Sequence, residues 1–563
     1  VTSTEGSGGP EGRRVVIVGG VAGGMSVATR LRRLDETARI TVVERSGHVS
    51  YANCGLPYFV GGVIDEEEDL FIQTPQRLHD LFRLEVRIGT EARAVDPVAR
   101  TVTVRGPGAV TEDLPYDVLV LSPGAVPVRP AVAGSEHLHL LRTVEDAESL
   151  AGALEDEPRE AVVVGAGFVG LEVAENLRRR GLGVTVVEAL DQVLSPLDPE
   201  LAVLVATELA ARGVRVLTGT NVVAVGRGEV VLGDGRHLAA DLALASVGVR
   251  PDTRLAEGAG LRLGPTGGIA VDEHLRTSDP HIYAVGDAVE KVDGVGGGSS
   301  LIALANVANR QGRRLADQLC GLDRPGSASL GTAIVKVFGL TAACTGWNEK
   351  RLRRSGRPYR AVHSHPLHHA GYYPGAEPMA LKLLFDPADG TILGAQAVGR
   401  AGVDKRIDVL ATAMAGGITA DGLADLELAY APPFSSAKDP VNLLGYMAEN
   451  VRSGACDVVA PDELDDLAAE GWVVLDVRTA AEHAQGAIPG SRNVPLDRLR
   501  TEVGAGDGPF VVYCEVGQRG HTATALLLDR GIGARNLDGG YRTWLAARAA
   551  AARDCEVLRD QPL

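Results

Sequence analysis

Two cysteines in this chain stand where sulfur chemistry could be done. Cys54 lies in YANCGLPYFVGG, residues 51–62, and the next cysteine along the chain is Cys320. Gly55 and Pro57 follow it and predict a helix start. Backbone N–H groups at such a start favour the thiolate, the nucleophilic form of cysteine. A thiol with no second thiol nearby is either an inert packing residue or a nucleophile for a sulfur that arrives with a substrate. Cys514 ends the β-branched run FVVYC. The other four, Cys320, Cys344, Cys456 and Cys555, are scattered, with no CxxC and no zinc-type Cys/His spacing. His363, His365, His368 and His369 look metal-like by number. They stand among Pro and Gly with no carboxylate geometry to infer, so no metal is expected.

Two glycine turns could bring electrons to such a thiol. RRVVIVGGVAGGMSVATRLRRL near the start and AVVVGAGFVGLEVAENLRRRGLGVTVVEA from residue 161 share one pattern. A short β-branched strand meets glycines, an Ala/Leu-rich helix follows, and a second strand ends on an acid, Glu44 or Glu188. In the second turn Gly165 permits the tight bend, Gly167 lets a pyrophosphate approach the backbone, and Gly170 lets helix and strand pack closely. Glu188 is placed to accept hydrogen bonds from a ribose diol. Its charge repels a 2′-phosphate and so favours NADH, with NADPH left open by Arg178–Arg180. The first turn is less regular: Gly19 and Gly24 fill the outer positions, Val21 takes the middle one, and Gly20 and Gly23 add freedom. The repeat distance, about 146 residues, is a domain length and not a solenoid period.

The whole chain sets bounds around these motifs. With 563 residues it is too long for one core. A net charge of −17 argues against nucleic acid as a partner, and no apolar run of about 18 residues predicts a membrane span. The polar, Gly-rich start VTSTEGSGGPEGRR reads as a disordered tail rather than a signal peptide. Free thiols without a secretion signal predict a cytoplasmic protein.

The two glycine turns, with SPG at 122–124 and VGDA at 285–288, resemble the FAD- and NAD(P)H-dependent pyridine nucleotide-disulfide oxidoreductases over roughly residues 14–450. That resemblance implies two Rossmann-like α/β domains and an α+β dimerisation domain, in a homodimer. FAD would be held by Gly19, Gly20, Gly24, Glu44, Arg45, Gly124, Gly286 and Asp287. NAD(P)H would be held by Gly165, Gly167, Gly170, Glu188 and Gly248. Two-cysteine members carry CxxxxC where this chain has Cys54 alone. SYANCGLPY resembles the single-cysteine branch, which includes coenzyme A-disulfide reductases, persulfide reductases and NADH oxidases. The resemblance implies coenzyme A as substrate or bound carrier, with Arg32, Arg33, Ser50 and Asn53 near it. From HHAGYYPGAEP and AYAPPFSSAKDPVN it implies that Tyr430 and Tyr372, or the adjacent Tyr373, reach the partner subunit's redox cysteine. A phenol there could protonate a departing thiolate.

LDVRTAAEHAQGAIPGSRNVP, VVYCEVGQRGHTA and LDGGYRTW resemble a single-domain rhodanese, an α/β sulfurtransferase. That makes Cys514–Arg519 the active loop, a nest of inward N–H groups for a thiolate and its persulfide, with Arg519 adding positive charge. Asp476 and Arg478 would brace the fold. Glu515 stands where a basic residue is common, which should weaken attraction for dianionic thiosulfate, and Ala487 replaces a usual histidine. The expected domains are a tail over 1–13, FAD-binding 14–125 with 263–328, NAD(P)H-binding 126–262, dimerisation 329–450, a linker over 451–457 and rhodanese 458–553. The expected function is NADH-dependent reduction of CoA-persulfide, polysulfide and CoA-disulfide through Cys54, coupled to sulfur transfer at Cys514. Two rivals stand beside it: an NADH oxidase or peroxidase cycling through a Cys54 sulfenic acid, and a persulfide sensor or carrier.

Overall fold

The computed structural model describes residues 12–322, 325–554 and 558. Most of the tail expected over 1–13, and Cys555, lie outside them. The chain forms two compact units. One holds residues up to Gly165, with Asn176–Gly183 and Val222–Ser329; the other holds Ala166–Glu175, Val184–Asn221 and everything from Leu330. The chain passes from the first to the second inside the second glycine turn.

The first unit is organised on a five-stranded parallel sheet. In spatial order its strands are Ile282–Ala284, Val118–Leu121, Arg14–Val18, Arg39–Val43 and Glu85–Arg87. Val15 to Val18 and Val118 to Leu121 are buried on both faces, the continuous apolar run that a covered parallel sheet needs. One face packs under Leu31 and Val27 of the helix Ala22–Leu34 and Leu315 of the helix Ala305–Leu319. The other face is covered by an antiparallel sheet of Glu91–Asp96, Thr101–Arg105 and Thr111–Pro115, which contributes Val95, Val102 and Leu114. The same unit holds the strand Glu160–Val164, which leads into the second turn and pairs in parallel with Leu242–Ala245.

The second unit carries the rest of the second repeat, where Val184–Val187 pairs in parallel with Val214–Leu217. Beyond it lies a five-stranded antiparallel sheet, two of whose inner strands, Ile392–Gly399 and Met379–Phe385, are buried along their whole length. The helices Val403–Gly416 and Pro440–Arg452 pack on it through Ile407, Leu410, Val441 and Leu444. The last module is a parallel sheet in the order Val458–Val459, Ala534–Leu537, Phe510–Tyr513, Val473–Asp476, Arg492–Asn493. Its central strand shows period-two alternation. Phe510, Val512 and Cys514 join one core with Ala523 and Leu527, whereas Val511 and Tyr513 join another with Leu537 and Trp544.

Candidate functional site

Around Cys54 the local fold follows from the first turn. Gly19 has φ 103°, and a Cβ there would stand 2.0 Å from the Ser122 carbonyl oxygen, so only glycine fits. The next N–H, of Gly20, donates to Glu44 Oε2 at 2.7 Å, and Glu44 Oε1 accepts from Ser46 N–H at 2.9 Å. Burial still pushes the Glu44 carboxyl above its usual range. Ser50 ties the cysteine segment to this turn. It adopts φ 53° and donates its N–H to the Gly20 carbonyl at 2.8 Å, while its own carbonyl accepts from Ile72 at 2.8 Å. Ala52 N–H bonds Leu70 O at 2.8 Å. Cys54 follows in a 3-10 turn, Asn53–Gly55, that runs into the short helix Leu56–Val60. Its Sγ lies 3.7 Å from Asn53 Oδ1, and it is the exposed thiol among the five described cysteines. Burial raises the thiols of Cys344 to about 12 and Cys456 to about 11, and raises Cys320 as well. Those three stay protonated and unreactive at neutral pH.

Gly286 and Asp287 form a 3-10 turn at the end of the strand Ile282–Ala284. Asp287 Oδ2 accepts from Arg142 Nη2 at 2.8 Å, the Gly286 N–H donates to Gln311 Oε1 at 2.9 Å, and its carbonyl accepts from Lys291 Nζ at 2.6 Å. Burial brings the Lys291 ammonium down to about 8. Arg142, Gln311 and Lys291 did not come out of the motifs; Lys291, four residues past the Gly-Asp pair, was the only one within reach of a local reading. Gly124 and Gly248 both take left-handed φ, 74° and 107°. Arg45 is exposed and faces Asp252 at 3.4 Å.

Arg32 requires a correction. Its guanidinium is 5% exposed and donates to the carbonyls of Phe82, Arg83, Asp35 and Glu36. It closes the end of its own helix and is not free to meet a phosphate. Arg33 is exposed, with Nε on Thr29 O at 3.0 Å.

The second turn repeats the solution of the first. In the first unit a Cβ on Gly165, at φ 105°, would lie 2.3 Å from Ser246 O. In the second unit Ala166 N–H donates to Glu188 Oε2 at 2.8 Å, and Leu190 N–H to Oε1 at 2.9 Å. A Cβ on Gly167 would meet nothing within 4 Å, which leaves the backbone open for a pyrophosphate. Gly170 is buried in the helix Phe168–Arg179.

Tyr372 and Tyr430 join hydroxyls at 2.8 Å and are 75% and 48% exposed. Tyr373 instead sets its ring edge-on to His369, 5.6 Å between centroids. The four histidines are bonded within the protein: His363 to Asp538 and Glu200, His365 to Thr543, His368 to Glu377 and His369 to the Ala370 carbonyl.

Cys514 is fully buried at the foot of the last module's loop, beneath the helix Gln518–Asp529. Its carbonyl accepts from Tyr541 N–H at 2.8 Å, and the Arg519 guanidinium is held above its usual range by Glu482 first and by the Cys514 sulfur as well. Gly517 takes φ 88°. Arg478 grips Asp476 through Nε and Nη2 and reaches Glu515 Oε2 through Nη1 at 3.0 Å.

Residues 13–312 match the pyridine nucleotide-disulphide oxidoreductase model, 332–440 its dimerisation domain, and 460–547 a rhodanese-like domain. The coenzyme A disulfide reductase of Staphylococcus haemolyticus is 35% identical over 442 residues, 78% of this chain and 100% of the relative. A crystal structure of reduced Bacillus anthracis CoADR-RHD matches with a TM-score of 0.94 at 44% identity, covering 98% of this chain and 99% of that one. An NAD-dependent persulfide reductase from A. fulgidus matches with a TM-score of 0.88 at 38% identity, covering 94% and 100%. The chain belongs to the pyridine nucleotide-disulphide oxidoreductase family and carries a C-terminal rhodanese-like domain.

Proposed function

We propose that the protein uses NADH to reduce CoA-disulfide and CoA-persulfide or polysulfide through Cys54, with sulfur supplied by or passed through Cys514. The observation that carries this reading is the exposed Cys54 thiol, fastened by Ser50 to the first glycine turn in a segment whose sequence holds no second cysteine. The relatives named for coenzyme A disulfide and for persulfide reduction support it.

The Cys54 thiolate attacks one sulfur of CoA–S–S–CoA. The S–S bond breaks, Cys54–S–S–CoA forms, and one CoA thiolate leaves. With CoA–S–SH the same attack on the inner sulfur releases hydrosulfide. Two electrons and a proton then return Cys54 to thiolate and release CoA–SH. FAD, when bound, supplies the passage of those electrons from the nicotinamide to sulfur. Glu44 and Asp287 would orient its ribose and ribityl hydroxyls, and the Gly19–Gly24 turn would receive its pyrophosphate. Gly167 and Glu188 would do the same for NADH. Arg33, Ser50 and Asn53 are the remaining candidates for contacts to coenzyme A. Tyr430, paired with Tyr372, would protonate the leaving thiolate of a partner subunit in a homodimer, an assembly supported by the dimerisation domain. No described helix is long and apolar enough to cross a membrane. The five described cysteines are free thiols, which supports a reducing, cytoplasmic setting. The domain boundaries we propose are those drawn from the sequence.

The test is anaerobic NADH oxidation with CoA-disulfide, CoA-persulfide and polysulfide. Cys54→Ser should lose all three activities by roughly a thousandfold or more while retaining the flavin spectrum. Cys514→Ser should keep CoA-disulfide reduction and lose only the use of rhodanese sulfur donors. NADH consumption matched by oxygen or peroxide, with no thiol formed, would move the assignment to an oxidase.

A further inference from the structure

The loop around Cys514 holds three guanidinium groups, and each faces a carboxylate. Arg519 is gripped by Glu482 through Nη1 at 2.9 Å and Nη2 at 2.6 Å. Arg478 lies on Asp476 at 2.9 Å and on Glu515 at 3.0 Å. Arg542 meets Glu515 Oε1 at 3.3 Å. Asp476 also accepts from His483 at 2.8 Å. Glu515 is the residue directly after the nucleophile, so its Cα lies about 3.8 Å from that of Cys514. Its carboxylate is held on one side by Arg478 and on the other by Arg542. The Arg519 bond to Glu482 holds that carboxyl down at about 2, so the pair stays ionised at neutral pH. Three guanidinium groups are thus matched by three carboxylates around the loop, which leaves little free positive charge to attract an anion.

From this arrangement, and resting on the sulfur-transfer reading above, we infer that the Cys514 loop takes sulfane sulfur from persulfides, R–S–SH or their monoanions, and discriminates against the thiosulfate dianion, with Glu515 as the specificity-determining residue. A second negative charge on the donor gains little from guanidinium groups already paired, and Glu515 sets this by neutralising Arg478 and Arg542 next to the nucleophile. The transfer is balanced without an external oxidant: R–S–SH and Cys514–S⁻ give R–SH and Cys514–S–S⁻. The donor's S–S bond breaks, a new one forms to Cys514, and the proton passes from the transferred outer sulfur to the departing thiolate.

The test uses the full chain bearing Cys54→Ser, so that persulfide is not reduced as it forms. Addition of one sulfur to Cys514 is followed by mass spectrometry in single turnovers with glutathione persulfide, with hydrogen polysulfide and with thiosulfate. Both donors, whose reacting persulfide group carries a single negative charge, should label Cys514 about a hundredfold faster than thiosulfate. Glu515→Gln should narrow that ratio by about tenfold, chiefly through faster thiosulfate transfer. Glu482→Gln, which loosens Arg519 while leaving Glu515 intact, should move the ratio the same way and stands in if the first variant folds poorly. Equal labelling by thiosulfate in the parent, or an unchanged ratio in both variants, overturns the inference. Absence of labelling by every donor overturns the sulfur-transfer reading itself.

Discussion

Tyr372 and Tyr430 share a hydrogen bond on an exposed surface, a poor place for two phenols unless something docks there. The shared bond raises the Tyr372 hydroxyl above its usual range, which suits a group that keeps its proton until a thiolate demands it. Tyr430→Phe should lower kcat for CoA-disulfide reduction by about ten- to a hundredfold with a smaller change in KM. Steady-state kinetics beside Tyr373→Phe, which should change little, checks this. Removing the carboxylate in Glu188→Ala should raise KM for NADH by about tenfold and lower the preference over NADPH, because the repulsion of a 2′-phosphate goes with it. Glu44 and Glu188 were legible as acids ending a second strand, since strand, turn and acid are close in sequence. Arg32 was misread because the carbonyls of Phe82 and Arg83 that absorb its charge lie fifty residues away.

At the scale of elements, the parallel sheets and both glycine turns could be read because their signals are local: β-branched runs, glycines and a following amphipathic helix. The antiparallel sheet Glu91–Pro115 was passed over. Its strands alternate short apolar residues with exposed charge, and only the parallel sheet beneath shows which face is buried. The helix Pro440–Arg452 was also missed, and its cap now carries a prediction. Asp439 accepts from Val441 N–H, from Ser435 Oγ at 2.6 Å and from Arg406 Nη2 at 2.9 Å, and Arg406 is 1% exposed. Asp439→Ala removes a helix cap and leaves a buried guanidinium without its counter-charge. The cost should be about 3–5 kcal/mol, most of it from the stranded charge. Denaturant unfolding of the variant, with Asp439→Asn falling between it and the parent, measures it. The segment between Ala429 and Asp439 carries Tyr430, so activity should fall with stability.

The rhodanese-like module is fastened to the rest of the second unit through charges that no local pattern announced. His363, on the strand Arg360–Ser364, donates its N–H to Asp538 Oδ1 at 2.8 Å and sets its ring between Asp538 Oδ2 at 2.5 Å and Glu200 Oε1 at 3.0 Å. Lys382 lies behind it, on Glu200 at 2.5 Å and on Asp198 and Glu349 at 2.9 Å. The helices Pro199–Ala211 and Gly540–Ala552 close the contact through Val203, Ala546 and Ala549. Asp538 leads directly into Gly539 and Gly540, and a Cβ on Gly540 would stand 2.5 Å from the Cys514 carbonyl, so this latch backs the sulfur-carrying loop. Burial pulls the His363 pKa down, but the Asp538 carboxylate and the bonds to Asp538 and Glu200 outweigh it and hold the pKa at about 9. Lys382 is raised further still, and Glu200 lies well below the carboxylate range despite burial because Lys382 and His363 oppose it. Neither titrates in the window that concerns His363. The folded His363 thus binds its proton more tightly than the unfolded chain, whose histidine titrates near about 6.5. Its contribution, roughly 3 kcal/mol, is fully present below about pH 6.5 and is lost as pH rises through about 9. Urea unfolding of the full chain, read from tryptophan fluorescence between about pH 6 and pH 10, should show the module's midpoint falling across that window. In His363→Gln the midpoint should start lower and stay flat there. A parent midpoint independent of pH over the same range would show that the imidazolium does not hold the module in place.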